Sequence, residues 1–257
     1  MNRLNKLFQT KKERILSVYF TAGYPNLNDT SVILENLEAA GIDFVEIGMP
    51  FSDPAADGPV IQHASLEALK NGMSVKLLFE QLKDIRSKVS MPLVLMGYLN
   101  PVMQYGIEDF CQKCAEVGID GLIMPDLPLQ EYEDNYKALF EQHGLSNILL
   151  ITPQTTPERL RQIDESASGF IYMVSSASTT GAKQSAKDFQ TAYFERVKQS
   201  DLKNPRIIGF GISNKETFDN ASQYAAGAIV GSAFVQHIGE HGIDAESVKR
   251  FADGIKA

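Results

Sequence analysis

Three carboxylates fall within one short stretch: Glu46, Asp53 and Asp57 in Val45-Glu46-Ile47-Gly48-Met49-Pro50-Phe51-Ser52-Asp53-Pro54-Ala55-Ala56-Asp57-Gly58-Pro59. Residues 44–47 are β-branched or aromatic apart from Glu46, which reads as a strand. Gly48 and Pro50 break that strand into a loop bearing the other two acids. A charge inside an apolar strand is costly unless it has a task. Alternation puts Phe44, Glu46 and Gly48 on one face and Val45 and Ile47 on the other. If Val45 and Ile47 pack against helices, Glu46 points inward, where desolvation raises a carboxyl pKa toward the range useful for proton transfer. The competing reading is a structural Glu held by a buried partner.

A second group of residues suits an anion. Gly209-Phe210-Gly211-Ile212-Ser213 and Gly231-Ser232-Ala233 each follow an apolar run, and the second opens a short helix. Glycines let backbone N–H groups approach an anion, and a helix N-terminus adds the positive end of its dipole. Turns also use glycine, so neither motif is specific alone; together they favour a phosphorylated ligand.

The elements that must position these residues alternate regularly. Leu4, Leu7 and Phe8 space out a short amphipathic helix. Strands follow at 15–21, 44–47, 92–96, 121–124, 147–151, 170–174, 206–209 and 228–230. Helices are read between them at 29–40, 59–71, 75–88, 107–117, 131–143, 157–165, 189–197 and 215–225, and after them at 233–239 and 245–256. Gly97-Tyr98-Leu99-Asn100-Pro101 and Pro125-Asp126-Leu127-Pro128 read as turns, and residues 175–183 as a long, small, polar loop. Eight βα units in 257 residues favour closure into an α/β TIM (β/α)8 barrel with a short extra N-terminal helix, as one domain over 1–257. The alternative is a doubly wound open sheet, but Ala22-Gly23-Tyr24-Pro25 is not its usual glycine-rich turn. In a barrel, active sites form where strands pass into the following loops. The second strand places Glu46 there, and the loops after strands seven and eight are where barrels often bind phosphate.

Composition narrows the class. Net charge is −8, against a nucleic-acid surface, and no apolar run is long enough for a membrane span. The first residues lack the apolar core of a signal peptide, so a cytoplasmic location is expected. Cys111 and Cys114 form a C-x-x-C, but their helical spacing and the lack of a second pair favour a helix face over a metal or redox centre. His237 and His241, four apart, have no third ligand and read as surface chemistry.

The run 46–59 resembles the signature of the tryptophan synthase alpha chain family. The likeness extends in order through Thr21-Ala22-Gly23, Asn100-Pro101, Pro125-Asp126-Leu127-Pro128, Thr180-Gly181, Gly209-Phe210-Gly211-Ile212-Ser213 and Gly231-Ser232-Ala233. The resemblance implies retro-aldol cleavage of indole-3-glycerol phosphate to indole and glyceraldehyde 3-phosphate. Glu46 would carry protons, and Asp57 would hold the indole N–H and the developing cation. Gly181, Phe210, Gly211, Gly231 and Ser232 would hold the phosphate. Tyr19, Ile61, Ile123, Ile151, Tyr172 and Ile229 would wall the indole pocket; the alternative is ordinary barrel core, and for most of them the two readings are compatible. Thr180 would sit on a loop that closes over the site. The resemblance further implies a beta chain in an α2β2 tetramer, touched by residues 53–57 and Asn100-Pro101-Val102. Pyridoxal phosphate would be bound by that partner, and no cofactor or metal by this chain. Departures from the family pattern are Ala55 for Leu, Tyr24 for Asp, Ser178 for Gly and Thr179 for Val. Indole-glycerol-phosphate synthase, a related barrel, needs lysine near strand ends, and this chain places none there. A silent subunit that only activates a beta chain would have no reason to keep a desolvated acid.

Overall fold

The structure, a computed structural model, describes residues 1–175 and 183–256, with 183–189 as backbone only. Eight parallel strands close into a barrel in sequence order: β1 (Ile15–Thr21), β2 (Phe44–Gly48), β3 (Leu93–Met96), β4 (Gly121–Ile123), β5 (Ser146–Ile151), β6 (Ile171–Val174), β7 (Arg206–Gly209) and β8 (Gly227–Val230). β8 pairs with β1, aligning Ile15 with Gly227, so the sheet has no free edge. The doubly wound alternative is thereby excluded.

Strand alternation sorts the side chains into two cores. Val45, Ile47, Leu93, Leu95, Leu122, Leu149 and Ile171 face outward and pack under the helices. Phe44, Val94, Met96, Ile123, Ile148, Tyr172, Ile207 and Ile229 fill the inside. α1 (Arg3–Thr10) is started by Asn2, whose side chain accepts the Asn5 N–H, and it closes the N-terminal end of the barrel. Its Phe8 ring meets Phe170 and Phe44 at centroid distances of 5.7 and 6.3 Å.

The surrounding helices are α2 (Thr30–Ala39), α3 (Pro59–Lys70), α4 (Val75–Leu82), α5 (Leu99–Tyr105), α6 (Ile107–Val117), α7 (Leu129–Glu131), α8 (Lys137–Gln142), α9 (Pro157–Ser166), α10 (Lys183–Lys198), α11 (Lys215–Ser222), α12 (Ser232–His241) and α13 (Ala245–Lys256). α10 begins at Lys183 rather than at the expected 189, and three others differ in kind from the sequence expectation. The helix expected over 75–88 stops at Leu82 and resumes as a 3-10 turn at Ile85–Ser87. The break lets Arg86 donate to the carbonyls of Gly118 and Met91 and to Asp120. The helix expected over 131–143 carries a π-helical turn, Tyr132–Tyr136, between α7 and α8. α5 replaces an expected turn, because the Leu99 N–H at its start is bonded to the Asp126 carboxylate at 2.9 and 3.0 Å. That acid lies 27 residues away and acts as a cap that local sequence does not reveal.

Among the described residues, no helix is long and apolar enough to cross a membrane. Cys111 and Cys114 are both buried on α6, and burial pushes the Cys111 thiol up to about 12, away from the reactive thiolate. The His237 ring is hydrogen-bonded to Ser247 of α13 at 3.0 Å and lies 4.9 Å from the His241 ring.

Candidate active site

A cavity of about 560 Å3 opens at the C-terminal end of the barrel. Its wall includes Tyr19, Glu46, Asp57, Ile61, Tyr172, Phe210, Gly211, Ile229, Gly231 and Ser232. Ten of the fourteen residues expected for the site therefore meet in one hollow; Ile123 and Ile151 do not line it, and Thr180 and Gly181 lie outside the described residues.

Glu46 is completely buried, with Val45 and Ile47 turned outward as strand alternation requires. Neither of its carboxyl oxygens has a hydrogen-bond partner among the described residues. Burial alone pushes its pKa up to about 8. At pH 7 the group is then protonated by roughly ten to one, and it stays close enough to neutrality to give up and regain a proton. The competing reading, a Glu held by a buried partner, finds no such partner among the described residues.

Asp57 sits at the end of the β2–α3 loop and is half-buried. Desolvation raises its pKa, while a hydrogen bond from the Tyr98 hydroxyl at 3.2 Å acts the other way. Its own carbonyl accepts from Gln62 of α3 at 2.9 Å, which ties the loop to the helix it leads into. The two acids thus occupy different environments, one fully buried with no hydrogen-bond partner among the described residues, the other half-exposed and hydrogen-bonded. This is the arrangement that divides acid–base work between two carboxyls.

The aromatic walls depend on glycine. A methyl group on Gly48 would overlap the Tyr19 phenol, and one on Gly209 would overlap that of Tyr172. Each tyrosine lies across the end of the neighbouring strand, in space that only glycine leaves open. The far end of the cavity is backbone-rich. Phe210 and Gly211 both have positive φ, 71° and 74°, a conformation that strains a side-chain-bearing residue such as Phe210. Ser175 holds this turn by donating to the carbonyls of Gly209 and Phe210, at 3.1 and 2.7 Å. Opposite, Gly231 caps α12, and the first N–H groups of that helix, which have no acceptor within it, stand at the cavity.

Two expected wall residues are placed differently. Ile151 points outward into the layer beneath the helices, and its carbonyl accepts from the Tyr193 hydroxyl at 3.1 Å; Ile148 and Leu150 are the inward residues of β5. Ile123 faces inward in the interior core, below the cavity wall. Val102, expected on a partner-facing turn, is fully buried, whereas Asn100 and Met103 beside it are exposed. Asp53 and Ala55 are exposed as expected. Sequence reasoning missed Met96, Val174 and Ser175, which also line the cavity, and Tyr98. Inward parity on β3 and β6 could have found Met96 and Val174. Tyr98 and Ser175 follow strand ends, where parity gives no guide.

A family model described as tryptophan synthase alpha chain matches residues 5–253. The chain belongs to that family. The tryptophan synthase alpha chain of Flavobacterium psychrophilum is 58% identical over 255 residues, covering 99% of this chain and all of the relative. That of Parabacteroides distasonis is 57% identical over the full length of both. Among solved structures, tryptophan synthase subunit alpha from Legionella pneumophila superposes with a TM-score of 0.86 at 35% identity, covering 100% of this chain and 99% of that one. A chain of M. tuberculosis tryptophan synthase in its aminoacrylate-bound form gives 0.85 at 31% identity, covering 99% and 98%. The closed eight-stranded barrel is thus the architecture of tryptophan synthase alpha chains.

Proposed function

We propose that Glu46 and Asp57 together carry a retro-aldol cleavage in the barrel cavity. As a tryptophan synthase alpha chain, the protein is a carbon–carbon lyase that cleaves indole-3-glycerol phosphate to indole and glyceraldehyde 3-phosphate, and the indole passes to a beta subunit. Indole anion is a poor leaving group, so C3 of the ring must be protonated before the bond breaks. Glu46, largely protonated at neutral pH, gives its proton to C3, and the resulting carboxylate takes the proton of the side-chain hydroxyl as the carbon–carbon bond cleaves. The proton count closes within one residue. Asp57 accepts the ring N–H and offsets the positive charge that grows on the indole. Phe210, Gly211, Gly231 and Ser232 receive the phosphate, and Tyr19, Ile61, Tyr172 and Ile229 enclose the apolar part of the substrate. Thr180 and Gly181, outside the described residues, are assigned to substrate binding by the family resemblance alone.

The single observation that supports this most is an unpartnered, fully buried carboxyl lining a cavity that ends in glycine-rich backbone. The partner arrangement is an α2β2 tetramer, with Asp53 and Ala55 at the contact and pyridoxal phosphate held by the beta chain. The location is cytoplasmic, and 1–257 act as one domain. Indole formation from indole-3-glycerol phosphate, with and without a cognate beta chain, tests the reading. Cleavage that the beta chain accelerates is the expected result. No cleavage in either case overturns it, and activity indifferent to the partner points to a free-standing indole-producing lyase instead.

A further inference from the structure

The β2–α3 loop carries Asp57 yet has few ties to the barrel. Among the described residues, beyond Met49 N–H to the Met96 carbonyl at its start, its other hydrogen bonds run within it, such as Ala55 N–H to Asp53 and Asp57 N–H to Pro54, or to Gln62 on the next helix. Past Met49 the tie to the barrel is Tyr98, which grips the loop at both ends. Its ring packs against Phe51 at a centroid distance of 5.2 Å, where the loop begins. Its hydroxyl accepts the Ala56 N–H at 2.9 Å and donates to Asp57 Oδ2 at 3.2 Å, where the loop finishes.

We propose that Tyr98 is a positioning residue for catalysis, holding Asp57 at the angle and in the ionised form that the indole nitrogen requires. The inference rests on the reading of Asp57 given above. A phenol has one proton to donate, and here it goes to Oδ2, which leaves the lone pairs of Oδ1 for a substrate N–H. A hydrogen bond donated to a carboxylate favours its charged form. Tyr98 is itself fixed from behind, because the Leu99 N–H next to it is bonded to both oxygens of Asp126 on the β4–α7 loop. Three successive βα loops are therefore linked through Tyr98 and the adjoining Leu99, and the last link is the Asp57 carboxylate. Since the cation forms only as the ring is protonated, the benefit falls on the transition state more than on substrate binding.

Tyr98→Phe, Asp57→Asn and the double variant test this in the full chain with a cognate beta chain present. Tyr98→Phe keeps the ring on Phe51 and removes only the hydroxyl; glycerol phosphate binding checks that each variant is folded. The expected loss in kcat for Tyr98→Phe is about tenfold, with KM changed less than about twofold. Because the lost bond favoured ionised Asp57, the acid limb of the kcat profile moves to higher pH. The other titratable groups near Asp57, namely Tyr19 on β1, Glu46 on β2 and Tyr172 on β6, are unaltered, as is Asp126 behind Tyr98, so the alkaline limb stays in place. The double variant falls no lower than Asp57→Asn, since Tyr98 acts through that residue. Parental kcat and acid limb in Tyr98→Phe, or additive losses in the double variant, overturn the proposal while leaving Asp57 in its role. A parental rate in Asp57→Asn removes the role of Asp57 and the proposal with it.

Discussion

Glu46 and Asp120 are both completely buried, Glu46 near the C-terminal mouth of the barrel and Asp120 at its N-terminal floor. Among the described residues, the Asp120 side chain receives four hydrogen bonds. The Arg3 N–H and guanidinium reach Oδ1 at 3.0 and 3.3 Å, and Arg86 and the Leu93 N–H reach Oδ2 at 2.8 and 3.0 Å. Glu46 receives none from the described residues. Burial is the same for both, so burial alone does not make a carboxyl reactive. What separates them is whether the protein replaces the lost water with donors. At the floor it does, and the acid joins α1, β3 and β4. At the mouth it does not, and the acid is left ready to exchange a proton with whatever enters.

Substitutions at the two acids should break the comparison in opposite ways. Glu46→Gln removes the proton carrier, and indole release should fall by about 10²–10⁴-fold in a steady-state assay. The same variant should gain stability at high pH. The folded-state pKa of Glu46 is raised to about 8 from 4.5, so above pH 4.5 the native chain binds more protons than the unfolded one and stability declines until about pH 8. Urea midpoints of parent and Gln variant should therefore agree near pH 4.5 and diverge in favour of the variant by pH 9. Equal midpoints at pH 9 would mean that Glu46 has a partner or a water path. Asp120→Ala strands Arg86 and two backbone N–H groups, and should cost about 3–5 kcal/mol in urea unfolding while kcat of the folded fraction stays within about twofold. A large kcat loss in stable Asp120→Ala protein would erase the distinction between floor and mouth. Gly48→Ala forces the Tyr19 ring aside and should cost about 1–3 kcal/mol, seen as a lower urea midpoint and a higher KM. A variant with parental stability and KM would show that the Tyr19 wall yields freely.

Much of this arrangement was legible in the sequence because it follows from parity and punctuation. Two-residue alternation put Glu46 inside and its neighbours out, and α6 runs from Ile107 to Val117 as its spacing requires, ended by left-handed Gly118. The glycines after β7 and β8 marked the backbone-lined end of the cavity. What escaped depended on contacts across the chain. Asp126 turns an expected loop into α5, and Arg86 interrupts the segment after α4. Ile151 was assigned to the wall by resemblance to the family, against the parity of β5, and parity was the better guide. Tyr98 had no local signal, since its importance lies in what a distant loop brings to its hydroxyl.

The pairing of β8 with β1 has a consequence for synthesis. As the chain leaves the ribosome, β1 emerges early but the partner for its outer edge is the last strand made. Until then the partly built sheet exposes an apolar edge of open backbone groups, and its closure joins segments far apart in sequence, a slow class of contact. The nascent chain is most prone to aggregation in that interval, and the seam between the first and last strands is where a chaperone would be needed most.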